Sequence, residues 1–170
     1  RELGSWIGLG IAVQAYQKRA IHVVEWLEHL AAGIGRTIPV RLVKGAYWDT
    51  EIKRAQEQGL AGYPVFTRKS STDVSYLACA RRLLEASHLY AQLATHNAHT
   101  VAWALRAAGD KPFEFQRLHG MGEALYAEVL ADERLRRPCR VYAPVGSHEE
   151  LLPYLVRRLL ENGANTSFVN

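Results

Sequence analysis

One feature constrains this chain more than any other: an alternation. Short apolar runs of β type and segments of helical period take turns along almost all of its 170 residues. Residues 6–14 form an apolar run short enough for a buried strand, despite Gly8 and Gly10. Residues 18–32 then carry Ile21, Val24, Leu27 and Leu30 at helical spacing. The same reading predicts strands over 40–46, 64–67, 89–95, 113–118 and 140–144. It predicts helices over 48–58, 72–86, 99–108, 123–130 and 149–161. Strand then helix, six times over, means parallel strands joined by right-handed crossovers.

Two α/β architectures fit: an open doubly wound sheet, or part of a (β/α)8 barrel. A doubly wound nucleotide-binding sheet opens on a glycine-rich turn. The nearest candidate, Gly8-Leu9-Gly10-Ile11-Ala12-Val13, lacks the third glycine and lies within a strand pattern. Polar residues gather instead where each predicted strand ends: Gln14, Lys44, Arg68, His96 with Asn97, Gln116 with His119, and Tyr142. In a barrel these ends share one mouth, where barrel active sites lie. The pattern therefore favours a barrel. Six units of about 28 residues fall roughly two units short of the usual ~250 residues. Both ends of the chain, Arg1-Glu2-Leu3-Gly4 and Thr166-Ser167-Phe168-Val169-Asn170, read like domain interior, so residues 1–170 are expected to be one partial barrel.

Charge argues against a dedicated nucleic-acid binder. Lys and Arg number 21 against 17 Asp and Glu, a net +4, and the basic residues are scattered rather than gathered in a stripe. Cys79 and Cys139 have no zinc-like spacing and are expected to be free thiols of a reducing compartment. No apolar run reaches the ~18 residues a membrane span needs.

Four constellations carry possible chemistry. In Arg41-Leu42-Val43-Lys44-Gly45-Ala46-Tyr47-Trp48-Asp49, strand alternation puts Arg41 and Val43 on one face, Leu42 and Lys44 on the other. An arginine inside a sheet wall calls for a fixed anion or an electron-rich ring, or for an ion pair with a neighbouring strand. Gly45 lets a planar ligand approach the backbone, and Tyr47 and Trp48 offer stacking surfaces. In Thr95-His96-Asn97-Ala98-His99, Asn97 has the place of a helix N-cap. No carboxylate or cysteine joins the two histidines at ligand spacing. A hydrogen-bonding role for His96 is therefore preferred to metal ligation, and no metal is expected. The glycine-rich turn through Gly120 and Gly122 suits either a phosphate or a tight strand-to-helix connection. In the last helix, Pro153 fits the first turn, and Leu152, Leu155, Val156 and Leu159 share one side. Tyr154, Arg157, Arg158 and Glu161 form the opposite stripe, whose two guanidinium forks suit a carboxylate. Periodicity leaves open whether that stripe faces solvent or the mouth. No nucleophile elbow or paired-carboxylate signature supports hydrolysis; the rings, the arginines and the clamp fit redox work on a small acid with a planar cofactor.

Residues 41–49, 95–99, 115–123, 142–146, 154–158 and 161–170, in this order, resemble the flavin-dependent proline dehydrogenase family over essentially the whole chain. The match is most like the proline dehydrogenase domain of the bifunctional bacterial enzymes. The resemblance implies a distorted (β/α)8 barrel, here its strands three to eight and the final capping helix. It also implies FAD at the mouth and oxidation of L-proline to Δ1-pyrroline-5-carboxylate by hydride transfer to the flavin. The electrons then pass to a membrane quinone. It places Arg157 and Arg158 on the proline carboxylate, with Tyr142, Tyr154, Tyr47 and Leu118 around the proline ring. Arg41 is placed beside the flavin as the catalytic residue. Gln14, Val43, Lys44, Gly45, Ala46, Thr95, His96, Asn97, Gln116 and Glu161 match flavin-site positions, and Thr67, Arg68 and Lys69 match the adenine-side phosphates. The family's first two strands supply a lysine and an aspartate with no counterpart here. A cytoplasmic enzyme fused to further domains, peripheral to the inner membrane, is the implied setting. The alternative reading is a carboxylate-binding module without redox chemistry.

Overall fold

The computed structural model describes residue 6 and residues 8–166, with the side chains of 162 and 164–166 left aside. Ile7 of the first predicted strand, residues 1–5 and residues 167–170 lie outside the described residues. Among the described residues five strands form a single parallel sheet: β1 (Ile11–Gln14), β2 (Ile38–Val43), β3 (Leu89–Ala94), β4 (Phe113–Leu118) and β5 (Cys139–Tyr142). Their order in the sheet is their order in the chain, β1-β2-β3-β4-β5. A doubly wound sheet reverses its order at a switch point. Among the described residues this sheet only advances and has no such switch point, with β1 and β5 at its two ends.

Six helices accompany the strands: α1 (Ala20–Gly33), α2 (Trp48–Glu57), α3 (Lys69–Glu85), α4 (Ala98–Ala108), α5 (Glu123–Ala131) and α6 (His148–Thr166). The core lies between the sheet and α1, α3, α4 and α5. Strict alternation builds it: in β2, Ile38, Val40 and Leu42 are buried while Pro39, Arg41 and Val43 are only partly so. β3 repeats the pattern with Leu89, Ala91 and Leu93. These residues meet Val24, Leu27, Cys79, Leu83, Val101 and Tyr126 from the helices. At ~25 cal/mol per Å² of apolar area, this layer is the main favourable term in the fold.

The prediction of six strands needs correction at one place. Residues 64–67 form no strand of the sheet. Val65 makes a single antiparallel bridge to Gln17, and the Phe66 and Lys18 amides donate to the Tyr16 and Pro64 carbonyls. The run is pinned by backbone bonds to the turn after β1, and Val65 is fully buried there. The β2-to-β3 crossover thus holds two helices, α2 and α3, and the sheet has five strand-helix units. Pro153 is also deeper than predicted. It is the sixth residue of α6, past the first turn, and gives up the hydrogen bond its amide would have made to Glu149.

The inward sheet face, away from the helices, is polar. Registered neighbours bring Arg41 beside Gln92, Gln92 beside Glu114, and Gln116 beside Arg140. Glu114, 4% exposed, organises this layer. Its Oε1 accepts from Gln92 (2.9 Å), Gln116 (2.8 Å) and Arg140 Nε (2.8 Å), and its Oε2 from Arg140 (3.0 Å). Burial works against the charged carboxylate, but these donors outweigh it and hold Glu114 below the usual carboxylate range.

Candidate active site

The C-terminal ends of the strands open onto two cavities that share Lys44, Tyr47 and Glu161 as a common wall. The first, about 280 Å³, is lined from the sheet by Gln14, Arg41, Val43, Thr95, His96 and Tyr142, and from α6 by Tyr154, Arg158 and Glu161. The second, about 360 Å³, is lined by Gly45, Ala46, Trp48, Thr67, Arg68, Lys69 and Arg157, among others. Of the predicted site residues, Asn97, Gln116 and Leu118 line neither. Leu118 is buried, Gln116 donates to Glu114, and Asn97 caps α4, its Oδ1 accepting from the Thr100 amide at 2.9 Å.

Arg41 resolves as an arginine on a ring rather than in an ion pair. Its guanidinium carbon lies 3.9 Å from the Tyr142 ring centroid, with the ring supplied by β5. Its Nε is buried without a hydrogen-bond partner, so a donor stands ready at the cavity wall. Burial raises the Tyr142 phenol pKa against the pull of Arg41, so the ring stays neutral and electron-rich.

Lys44, at the end of β2, is also buried. It pairs with Asp73 of α3, which also accepts from Lys69 at 2.7 Å. Burial opposes the charge on Asp73, but the two lysines prevail and keep its carboxyl below the ordinary value. Asp73 escaped the sequence reading, although Lys69 four residues before it was a usable signal. Gly45 has φ +130, and a Cβ there would sit 2.6 Å from the Tyr16 ring. A glycine at this position is required by that ring.

His96 is held as an acceptor. Its Nε2 takes the Leu118 amide proton at 3.0 Å, which leaves Nδ1 as the protonated nitrogen. Burial, then Arg117 and Arg41, lower its pKa and keep it neutral. His99 is exposed on α4, and among the described residues no group of three or more His, Cys, Asp or Glu is placed to hold a metal. Gly120 and Gly122, with φ +79 and +66, make the turn into α5, where Arg117 and Glu123 approach to 3.7 Å. From this turn Met121, unforeseen from sequence, lines the first cavity.

The orientation of α6 answers the question its periodicity left open. Tyr154, Arg157, Arg158 and Glu161 are half-buried against the mouth, while Leu152, Leu155, Val156 and Leu159 are exposed. Arg158 donates to Glu161 at 2.7 Å and to the Tyr47 hydroxyl at 3.3 Å, and stacks 4.8 Å from the Tyr154 ring centroid. Burial opposes its charge, but Glu161 raises its pKa overall. Arg157 lies 5.4 Å from the Tyr47 ring and lines the second cavity, not the first. The two arginines thus flank one tyrosine from neighbouring cavities.

A parallel α/β sheet thus gathers arginines and tyrosines around two adjoining cavities at its strand C-termini. Residues 1–170 match the family model described as proline dehydrogenase, and the chain belongs to that family. It is 62% identical over 177 residues to the bifunctional protein PutA of Klebsiella aerogenes, covering 99% of this chain and 14% of that protein. Identity to PutA of Rhizobium meliloti is 57% over 173 residues, with 99% of this chain and 14% of the relative covered. A crystal structure of a Bradyrhizobium japonicum proline utilization A mutant superimposes with a TM-score of 0.89 at 61% identity, over 98% of this chain and 17% of that one. The chain thus spans about one seventh of the length of these curated relatives.

Proposed function

We propose that this chain forms most of the active site of an FAD-dependent proline dehydrogenase, which oxidises L-proline to Δ1-pyrroline-5-carboxylate. The observation that carries this reading is the direction of α6. Its charged stripe, rather than its apolar one, closes over the strand ends, bringing Arg158 into a cavity ringed by Tyr47, Tyr142 and Tyr154. A guanidinium among aromatic rings holds a small carboxylate and excludes water from the ring attached to it.

The residues fit FAD. Two cavities with a common wall suit a ligand of two joined halves. The first offers an unpaired Arg41 donor; the second offers Arg68 and Lys69 for phosphate oxygens. When bound, FAD supplies the acceptor for the hydride leaving proline as its C–N bond becomes C=N. Arg41, fixed on Tyr142, places positive charge at the first cavity, where negative charge develops on reduction. Arg157 and Arg158 bind and orient the carboxylate. Glu161 holds Arg158 in place. Gln14, Val43, Gly45, Ala46, Thr95, His96 and Thr67 line the cofactor's surroundings in this reading. Asn97, Gln116 and Leu118 act from behind the wall. Transfer of electrons to a quinone, fusion to further domains and a cytoplasmic location peripheral to the membrane complete the proposal. Among the described residues no helix is long and apolar enough to cross a membrane. A carboxylate-binding module without redox chemistry would leave Arg41 without a purpose.

In the intact protein carrying this chain, bound flavin gives a yellow colour that L-proline bleaches. Replacing both Arg157 and Arg158 by Met raises the proline KM roughly ten- to a hundredfold, the worth of a charged hydrogen-bonded contact. Colour without bleaching, or an unchanged KM, overturns the assignment.

A further inference from the structure

The second cavity is lined by a tyrosine whose buried hydroxyl the proposed chemistry does not use. Tyr16 lines it, is 2% exposed, and has a buried hydroxyl with no hydrogen-bond partner. Its position is fixed from three sides. The Tyr16 amide donates to the Lys44 carbonyl at 2.8 Å, and its carbonyl accepts from Phe66 at 2.8 Å. Its ring fills the space that a side chain at Gly45 would need. The ring has no freedom to swing its hydroxyl out to water, and an unpaired buried hydroxyl is costly.

The hydroxyl is a donor in waiting. Burial, then the field of Glu51, pushes its pKa up to about 12, only partly offset by the nearby Tyr47 amide. A fixed, neutral O–H wants an acceptor. Around it, the same cavity collects Arg68 and Lys69 with the first residues of α3, a setting that attracts anionic oxygens. Other buried tyrosines differ. The Tyr126 hydroxyl donates to the Thr95 carbonyl at 2.9 Å, and Tyr76, also unpaired, lines neither cavity.

We propose that Tyr16 is a further cofactor-binding residue, donating its hydroxyl proton to a phosphate or ribose oxygen of a dinucleotide in the second cavity. The proposal rests on the reading that FAD spans the two cavities. It has two consequences of opposite sign. Tyr16→Phe removes a costly unpaired group from the ligand-free protein and a hydrogen bond from the liganded one. A tyrosine that only packs has no reason to move the two in opposite directions.

The test uses the intact protein as wild type, Y16F and Y76F, each stripped of flavin and titrated with FAD while flavin fluorescence and the ligand-free Tm are followed. Y16F is expected to raise the ligand-free Tm and to weaken FAD binding about three- to tenfold, the worth of one neutral hydrogen bond. Y76F is expected to raise the Tm and leave FAD affinity alone. Equal FAD affinity in Y16F and a wild type that binds FAD overturns the Tyr16 role and spares the FAD reading. So does a lower ligand-free Tm in Y16F, since the hydroxyl would then have a partner within the protein. A wild type that binds no FAD overturns both.

Discussion

Glu114 shows how one residue ties the fold to the site. Its carboxylate gathers donors from three neighbouring strands, β3, β4 and β5, in the layer on the inward face of the sheet. Its pKa is held below the ordinary value, so it contributes stability that is fully present above the unfolded carboxylate value, about 4. That stability is lost as pH falls through the lower folded value. Glu114→Gln keeps the shape but turns a donor toward Gln92 and Gln116, and is expected to cost on the order of 2 kcal/mol at neutral pH. Urea midpoints measured between pH 3 and 7 check this. The mutant's midpoint should fall less steeply than the wild type's below pH 4; parallel curves would remove Glu114 from the acid response. Neither Glu114 nor Tyr16 stood out in the sequence. Each owes its state to partners twenty or more residues away, such as Gln92 and Arg140 or Gly45, which no local spacing reveals.

At the scale of elements, local signals were readable and orientations were not. Arg41 and Val43 do share a face, because a strand's period of two needs no partner to be seen. Asn97 caps α4 as its position suggested, because a cap bonds only three residues away. Asn97→Ala is accordingly expected to lower stability by about 1 kcal/mol, while Asn97→Asp retains it; thermal melts of the two variants decide. Residues 64–67 misled for the opposite reason. A run of four residues is compatible with a strand, and only the bonds to Tyr16 and Lys18 make it a pinned connection. The last helix carries the same lesson further. Periodicity fixed which residues lie together, but the choice of inward face belongs to the mouth. There Arg158 finds Glu161, Tyr47 and Tyr154, and these contacts bring the charged side inward.

For the whole molecule, that choice leaves apolar surface outside. Leu152, Leu155, Val156, Leu159 and Leu160 are 37–69% exposed along α6, and Val141 of the edge strand β5 is 48% exposed. Among the described residues the sheet has two unpaired edges, β1 and β5. Open parallel edges and a continuous apolar helix face each invite association. The 170-residue chain prepared alone is therefore expected to self-associate with rising concentration, followed by light scattering across a dilution series. Leu155→Glu and Leu159→Glu together place charge on the outward face and leave Arg157, Arg158 and Glu161 untouched. They should shift the chain toward monomer. In the longer protein, the same double substitution distinguishes two fates for this face. If further chain covers it, the pair costs several kcal/mol of stability, as buried unpaired charges do. If it is open to water, the melting temperature stays within the small range of ordinary surface changes. A monomeric wild-type fragment at high concentration would show that the exposed face of α6 and the sheet edges do not drive association.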